Sequence, residues 1–346
     1  LKYKDAKEKF FFIDVRSPSE YEDDTITGAV NIPLLTDEER KQVGTTYVQV
    51  GKTEAKRLGV NLISPKMPEM FEQVIDLKYK HGQLAAFCAR GGYRSTYFAS
   101  VFSSIGIPVF QIEGGYKSYR SEVIDTLPKL NDKVNYIMLN GNTGVGKTNI
   151  LQSLRNLGCS VLDLEGAANH RGSMLGSIGI GKCNSQKKFE SKIYDQLMMS
   201  DDNFVFVEAE SQKIGSVSIP KFISDKMRNG IQIFIEADIE DRIENLKKDY
   251  TISDDWKSES IRAMDMLNKY ISKDRLESLK KEISLGNFDL VARELMEKYY
   301  DPMYNFKSDK INYAARFKTG TDSDETAMEI IKWYNQDIKQ NNSQVV

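Results

Sequence analysis

The 346 residues, 40% hydrophobic and 28% charged, suit about two globular domains. A formal net charge of −2 excludes a global positive field that would by itself draw in nucleic acid, although 48 lysines and arginines could build a local patch. No apolar run reaches the roughly 18 residues of a membrane span.

No basic-then-apolar leader opens the chain, which begins at Leu1. Cys88, Cys159 and Cys183 show neither CxxC spacing nor a disulfide framework, so a reducing cytoplasm and no membrane partner are expected. Residues 10–15 read FFFIDV, a continuous apolar run that ends at Arg16 and the turn Ser17-Pro18. Continuous rather than alternating apolarity predicts a strand covered on both faces. A helical turn is expected over 19–24, a short strand over 29–32 closed by Pro33, and a charged helical stretch over 36–59. Pro65 and Pro68 flank the start of a helix over about 69–80, and 83–87 forms the next strand. A helix over 95–104, a strand over 109–112 and the turn Gly114-Gly115 then lead into a helix containing Tyr116 and Tyr119. Residues 1–126 make a small α/β domain.

The loop after the 83–87 strand is Cys88-Ala89-Arg90-Gly91-Gly92-Tyr93-Arg94-Ser95. A cysteine at the end of a buried strand, followed by a Gly-rich turn into a helix, is cradled by backbone N–H groups. Those donors, the helix N-terminus, and Arg90 and Arg94 folding over it would favour its thiolate and receive an anionic substrate. The alternative is a buried structural thiol. Two glycines and two arginines within six residues favour the reactive one.

Residues 127–133, polar and containing Pro128, read as a linker. The apolar run 136–139 then delivers the chain to 140–148, NGNTGVGKT, which fits the phosphate-loop pattern in full: Gly141, four residues, then Gly146-Lys147-Thr148. With Gly144 it forms a backbone cradle at a helix N-terminus, suited to phosphate. Lys147 would neutralise phosphate oxygens, and Thr148 would hold Mg²⁺ or a phosphate oxygen. A helix over 148–157, stopped by Gly158, and a strand over 159–164 follow. The Gly- and Ser-rich stretch 167–182 reads as a long loop beside the phosphate loop. It holds His170, a general acid–base candidate or a plain loop histidine, and Arg171 beside it. Residues 186–198 are helical, and the buried strand 204–207 ends at Glu208, the second candidate Mg²⁺ ligand. A strand over 231–235 leads to a helix opened by Glu240-Asp241-Arg242, where Arg242 could bind phosphate or simply lie on the surface. This domain spans 134–250.

From residue 254 the chain reads as almost entirely helical, a C-terminal region over 251–336. Trp256, Ile261, Met264, Leu267 and Ile271, then Leu276, Leu279 and Ile283, recur at helical spacing and read as core. Tyr299, Tyr300, Tyr304, Lys307 and Lys310 interleave aromatics with lysines, open to base stacking and phosphate contact or to plain docking. Residues 337–346 form a polar tail, expected to fray.

Residues 12–21 (FIDVRSPSEY), Gly28-Ala29-Val30-Asn31-Ile32-Pro33 and the Cys88–Ser95 loop together resemble the rhodanese family. The resemblance implies a cysteine that carries sulfur or selenium, with Asp14 and Arg16 helping to hold its loop. The stretch from Glu38 to Tyr47, the Cys-x-Arg-Gly-Gly-x-Arg-Ser form of that loop, Gly141 to Thr148, Asp163 to Gly172 and Val207 to Ser211 resemble a narrower family, tRNA 2-selenouridine synthase. That likeness runs from about residue 10 to 299, with Ala209 where an acid is more usual and Gln212-Lys213 where basic residues are. It implies an α/β fold class: a rhodanese-like α/β domain, then a P-loop NTPase-like parallel-sheet domain with a C-terminal helical region.

What the resemblance implies chemically is replacement of sulfur at C2 of wobble 2-thiouridine in tRNA, through an S-geranyl intermediate. The co-substrates would be geranyl diphosphate and selenophosphate, with a selenophosphate-supplying enzyme as partner and no tightly bound cofactor. Lys147 and Arg171 would serve the first step and Cys88 the second. Two other classes stay open from the residues alone: an ATP-dependent or small-molecule kinase-like enzyme coupled to a sulfurtransferase, and a non-catalytic binding protein. The intact Cys88, Gly146, Lys147 and Thr148 speak against the last.

Overall fold

The first strand, β1 (Phe11–Asp14), buries Phe12, Ile13 and Asp14. It lies between β2 (Val30–Asn31) and β3 (Leu84–Phe87), and β4 (Val109–Gln111) completes a parallel sheet in the order β2-β1-β3-β4. All four residues of β3 are buried, as a strand covered on both faces requires. The core joins Ile13, Val15, Leu84 and Ala86 to Phe98 and Phe102 of the helix Tyr93–Ser104. This computed structural model describes residues 1–173, 175–303, 311–320 and 322–339. It divides into one unit of Leu1–Thr126 with Glu190–Lys192, and a second of Leu127–Phe189 with Ile193–Val346.

The charged stretch 36–59 is not one helix but two, Asp37–Gln49 and Lys52–Ile63. Thr36 opens the first through a reciprocal capping box with Glu39. The break falls at Gly51, whose φ of 141° no helix accommodates. Residues 127–133, expected as a linker, are the last turns of the helix Gly115–Lys133. Tyr119, Val123, Leu127 and Asn131 are buried at four-residue spacing, and that packed face carries the helix through Pro128.

In the second unit β5 (Asn135–Asn140) is the central strand. With β6 (Val161–Leu162), β7 (Phe204–Glu208), β10 (Ile231–Glu236) and β11 (Ala315–Lys318) it forms a parallel sheet ordered β11-β10-β5-β7-β6. A small antiparallel hairpin joins β8 (Lys213–Ile214) to β9 (Val217–Ser218). The edge strand β11 is the exception in a C-terminal region that is otherwise helical, as expected. Its four residues alternate partly buried and exposed, too short a pattern to stand out. The helices Lys147–Asn156 and Ser323–Trp333 share a core with the sheet through Ile150, Leu154, Phe206, Ile235, Ala327 and Ile330.

The stripe Met264, Leu267, Ile271, Leu276, Leu279 and Ile283 is the core of a helical layer made by Trp256–Met264, Lys273–Leu285 and Phe288–Leu295. Tyr304, Lys307 and Lys310 lie outside the described residues. Of the expected tail, 337–339 still belong to the helical turn Tyr334–Lys339, and 340–346 lie outside the described residues. No described helix is long and apolar enough to cross a membrane.

Candidate active sites

In the first unit, β3 delivers Cys88 to a tight loop that ends at the helix Tyr93–Ser104. The Gly92 N–H donates to Cys88 Sγ at 3.2 Å, and Ser95 Oγ lies 3.2 Å from the same sulfur. The Gln111 amide fixes this arrangement by donating to the Gly91 carbonyl at 2.8 Å and to Ser95 Oγ at 3.0 Å. Burial pushes the thiol pKa up, but the Ser95 hydroxyl and the backbone N–H groups of Ser95, Arg90 and Gly92 outweigh it, and the thiol sits below its ordinary value. Hydrogen-bond donors of this kind favour the thiolate form.

The loop is held from below by the Gly114-Gly115 turn. The Tyr116 and Lys117 N–H groups donate to the carbonyls of Cys88 and Ala89 at 2.9 and 3.0 Å. A Cβ on Gly115, at φ +57°, would stand 2.1 Å from the Cys88 carbonyl oxygen, and one on Gly91, at φ +63°, would stand 2.8 Å from Gly114 N. Two backbones can approach this closely only without side chains.

The two loop arginines differ. Arg90 is exposed. Arg94 donates to Glu20 at 2.8 Å, and Arg40 donates to the same carboxylate at 2.8 Å. Burial raises the Glu20 pKa, but Arg94 and then Arg40 outweigh it and hold the group at about 2. Asp14 and Arg16 form a buried pair, with Arg16 Nη2 2.6 Å from Asp14 Oδ2 and the guanidinium 4.1 Å from the centre of the Tyr116 ring. Through Tyr116 this pair braces the turn beneath Cys88.

In the second unit, β5 ends at Asn140 and the helix Lys147–Asn156 starts directly after Gly146, which is left-handed at φ +81°. Lys147 Nζ reaches back to the Gly141 carbonyl at 2.8 Å, and its ammonium therefore covers the loop. Gly141 and Gly144 each meet backbone at van der Waals limits: a Cβ would fall 2.6 Å from Ile235 O and 2.8 Å from Arg242 O. Arg242 and Asn245 hold the loop by donating to the carbonyls of Thr143 and Gly144 at 2.9 and 3.0 Å. The Arg242 guanidinium is also bidentate on Asp301, at 2.8 and 2.6 Å. Among the described residues, Arg242 does not line the cavity at the loop.

Beside Lys147 lies a cluster of carboxyl groups. Thr148 Oγ1 donates to Glu165 Oε2 at 3.0 Å. Glu208 is fully buried, and its Oε1 accepts the N–H groups of Leu164 and Glu165, both at 2.8 Å. Burial and then the neighbouring Asp163 and Glu165 drive its pKa well up. Burial and the charge of Glu165 raise Glu210 to about 8, against the pull of Lys147. Glu208 is therefore turned to backbone, and Glu165 and Glu210 are the acids facing the loop.

Arg171 lines the same cavity, of about 130 Å³. Its guanidinium donates to the Ile178 and Asp249 carbonyls at 2.5 and 2.7 Å and lies 4.9 Å from the centre of the Tyr250 ring. His170 points elsewhere. It is wedged between Gly176 and Gly215, where a Cβ would come within 2.9 and 2.7 Å of its ring. Its Nδ1 has no hydrogen-bond partner among the described residues. Burial, then Arg171, lower its pKa, which favours the neutral ring.

The cavity thus gathers Gly144, Gly146, Lys147, Thr148 and Arg171 and leaves His170, Glu208 and Arg242 outside its lining. Glu165, Glu210, Asn245 and Asp249 join it without having been singled out from sequence. A signal existed for two of them: Arg242, Asn245 and Asp249 recur at three and four residues on one helix face.

A buried strand entering a glycine cradle closed by lysine and threonine, over acidic strand ends on a parallel sheet, defines a phosphate-loop enzyme, here in one chain with a cysteine-loop α/β domain. Residues 1–122 match the model of the rhodanese-like domain, and residues 134–341 match that of the tRNA 2-selenouridine synthase AAA domain. The chain is similar to the tRNA 2-selenouridine synthase of Hydrogenovibrio crunogenus, with 32% identity over 88% of this chain and 92% of that one. It is likewise similar to that of Sulfurovum sp., with 30% identity over 86% and 88%, and to that of Nitrosomonas europaea, with 34% identity over 70% and 63%. This chain belongs to the tRNA 2-selenouridine synthase family and is an enzyme, a transferase.

Proposed function

We propose that this enzyme converts 2-thiouridine at the wobble position of tRNA to 2-selenouridine in two steps, one at each loop. In the first, the C2 sulfur attacks C1 of geranyl diphosphate. The S–C bond forms as the C–O bond breaks, diphosphate leaves with the electron pair, and the base loses its N3 proton. Negative charge grows on the leaving oxygen, and the cations near it are Lys147 and Arg171. In the second step the selenium of selenophosphate attacks C2, geranylthiolate leaves with the C–S electron pair and takes up a proton, and water cleaves the P–Se bond so that the phosphoryl group departs as inorganic phosphate. Cys88 serves there as the thiolate that handles the selenophosphate anion. Alkylation comes first because a thiocarbonyl sulfur is a poor leaving group.

The observation that carries this reading is that both reactive loops are whole in a member of this family. Cys88 has its N–H and hydroxyl donors, and Lys147 and Thr148 stand over Glu165. Arg90 and Arg94 flank the selenium site, Arg94 through Glu20. If Mg²⁺ accompanies the diphosphate, Thr148 and Glu165 are the residues that would hold it, since both line the cavity at the loop and Glu208 does not. Such an ion would offset the charge on the leaving group.

The test is nucleoside mass spectrometry of 2-thiouridine tRNA incubated with the purified protein. Geranyl diphosphate alone should give the S-geranyl nucleoside, and adding selenophosphate should give 2-selenouridine. Cys88→Ala should block only selenium entry, and Lys147→Ala should impair geranylation. An unchanged nucleoside in every arm, with ATP hydrolysed in parallel, sinks the proposal in favour of a nucleotide enzyme.

A further inference from the structure

The phosphate-loop cavity shares a wall with a second, apolar one. Thr143, Ser173, Leu246 and Tyr250 line both. Ser173 and Tyr250 pair their hydroxyls at 3.0 Å, which satisfies these polar groups at the shared wall. Beyond it the second cavity runs into the helical layer, between Met264, Ile283, Val291, Ala292, Leu295 and Met296. Its described lining holds no carboxylate, amide side chain or basic group; its polar side chains are the hydroxyls of Thr143, Ser173, Tyr250, Ser260 and Tyr300, and the rest is hydrocarbon or thioether. A phosphate cradle adjoining such a pocket, with four lining residues in common, fits a ligand with an anionic head and a hydrocarbon tail.

We infer that this cavity holds the distal end of the prenyl tail and sets the chain length of the diphosphate used, an inference that rests on the loop's use of a prenyl diphosphate. The room agrees with that. The cavity measures about 60 Å³, above the roughly 10–15 Å³ that a cavity needs to admit one water-sized group, so it has room for a short hydrocarbon segment. The proximal unit of a ten-carbon tail then lies across the shared wall, with the diphosphate at Lys147. A five-carbon chain leaves the pocket empty, and a fifteen-carbon chain overruns it. Ala292, buried on the helix Phe288–Leu295, is a small side chain in the lining whose enlargement shortens the space. Met264 is a long one whose truncation extends it.

The experiment compares dimethylallyl, geranyl and farnesyl diphosphates as donors to 2-thiouridine tRNA, with the full-length protein and the nucleoside products read by mass. Each result is a ratio of kcat/KM values, which a partly folded preparation does not alter. Ala292→Phe should lower the geranyl-to-dimethylallyl ratio roughly tenfold or more, and Met264→Ala should raise the farnesyl-to-geranyl ratio by a similar factor. If the wild type transfers geranyl but both ratios stay within about twofold of its own, the tail lies elsewhere and the inference is wrong. If the wild type transfers no prenyl group from any donor, the reading of the loop itself fails, and this one with it.

Discussion

Replacing Arg242 with methionine tests whether this residue acts through the loop or on the phosphate. The substitution keeps the aliphatic stem and removes the guanidinium. Arg242 is 7% exposed and its partner Asp301 18%. Breaking a fully buried pair costs about 3–5 kcal/mol. The residual exposure of Asp301 allows some rehydration and brings this to about 2–3 kcal/mol. The lost bond to the Thr143 carbonyl adds about 1 kcal/mol. The sum, about 3–4 kcal/mol, corresponds to a fall in Tm of roughly 6–16 °C for a unit of this size. Asp301→Asn leaves Arg242 its Thr143 bond and an amide oxygen to donate to, and should cost about 1–2 kcal/mol.

Calorimetric unfolding of both single variants and the double variant gives the coupling, expected at about 1.5–3 kcal/mol. Isothermal titration with geranyl diphosphate supplies the functional arm. A positioning role predicts that Asp301→Asn weakens binding in part and Arg242→Met more, because the first weakens the hold on the guanidinium that binds Thr143 and the second removes that guanidinium. Negligible coupling, or Asp301→Asn binding like the wild type while Arg242→Met binds nothing, would refute the reasoning and make Arg242 a direct phosphate ligand.

Removing the Ser95 hydroxyl takes a stabilising partner from the Cys88 thiolate and leaves burial opposed only by backbone donors. In Ser95→Ala the pH midpoint for iodoacetamide alkylation of Cys88 should move up, and an unmoved or lowered midpoint contradicts the assignment. At the other loop, Glu210 is neutral below about pH 8 and ionises above it, which adds negative charge where an anionic diphosphate must sit. Affinity for geranyl diphosphate should therefore fall as pH rises through about 8, and Glu210→Gln should flatten that fall. A pH dependence that survives in the variant assigns it to another group.

The local features were legible in the sequence because they rest on neighbours in the chain. A phosphate loop needs its glycines, lysine and threonine within nine residues. The Cys88 loop likewise carries its glycines and its serine in order, so both loops and the strands that deliver them could be read from the chain alone. Position-dependent roles could not. Glu208 looked like the metal ligand because it ends a strand, yet the backbone N–H groups of Leu164 and Glu165, far off in sequence, hold one of its oxygens, and the residue stays outside the cavity lining. His170 and Arg171 are adjacent in the chain, but the close approach of Gly176 and Gly215 directs one into packing and the other into the cavity. Arg94 carries the right charge beside Cys88, and Glu20, brought there by the fold, binds it. Composition and spacing determined which groups are present. Which of them remain free to act was decided by pairings across long sequence separations, because a buried charge goes to whatever partner the tertiary structure sets against it.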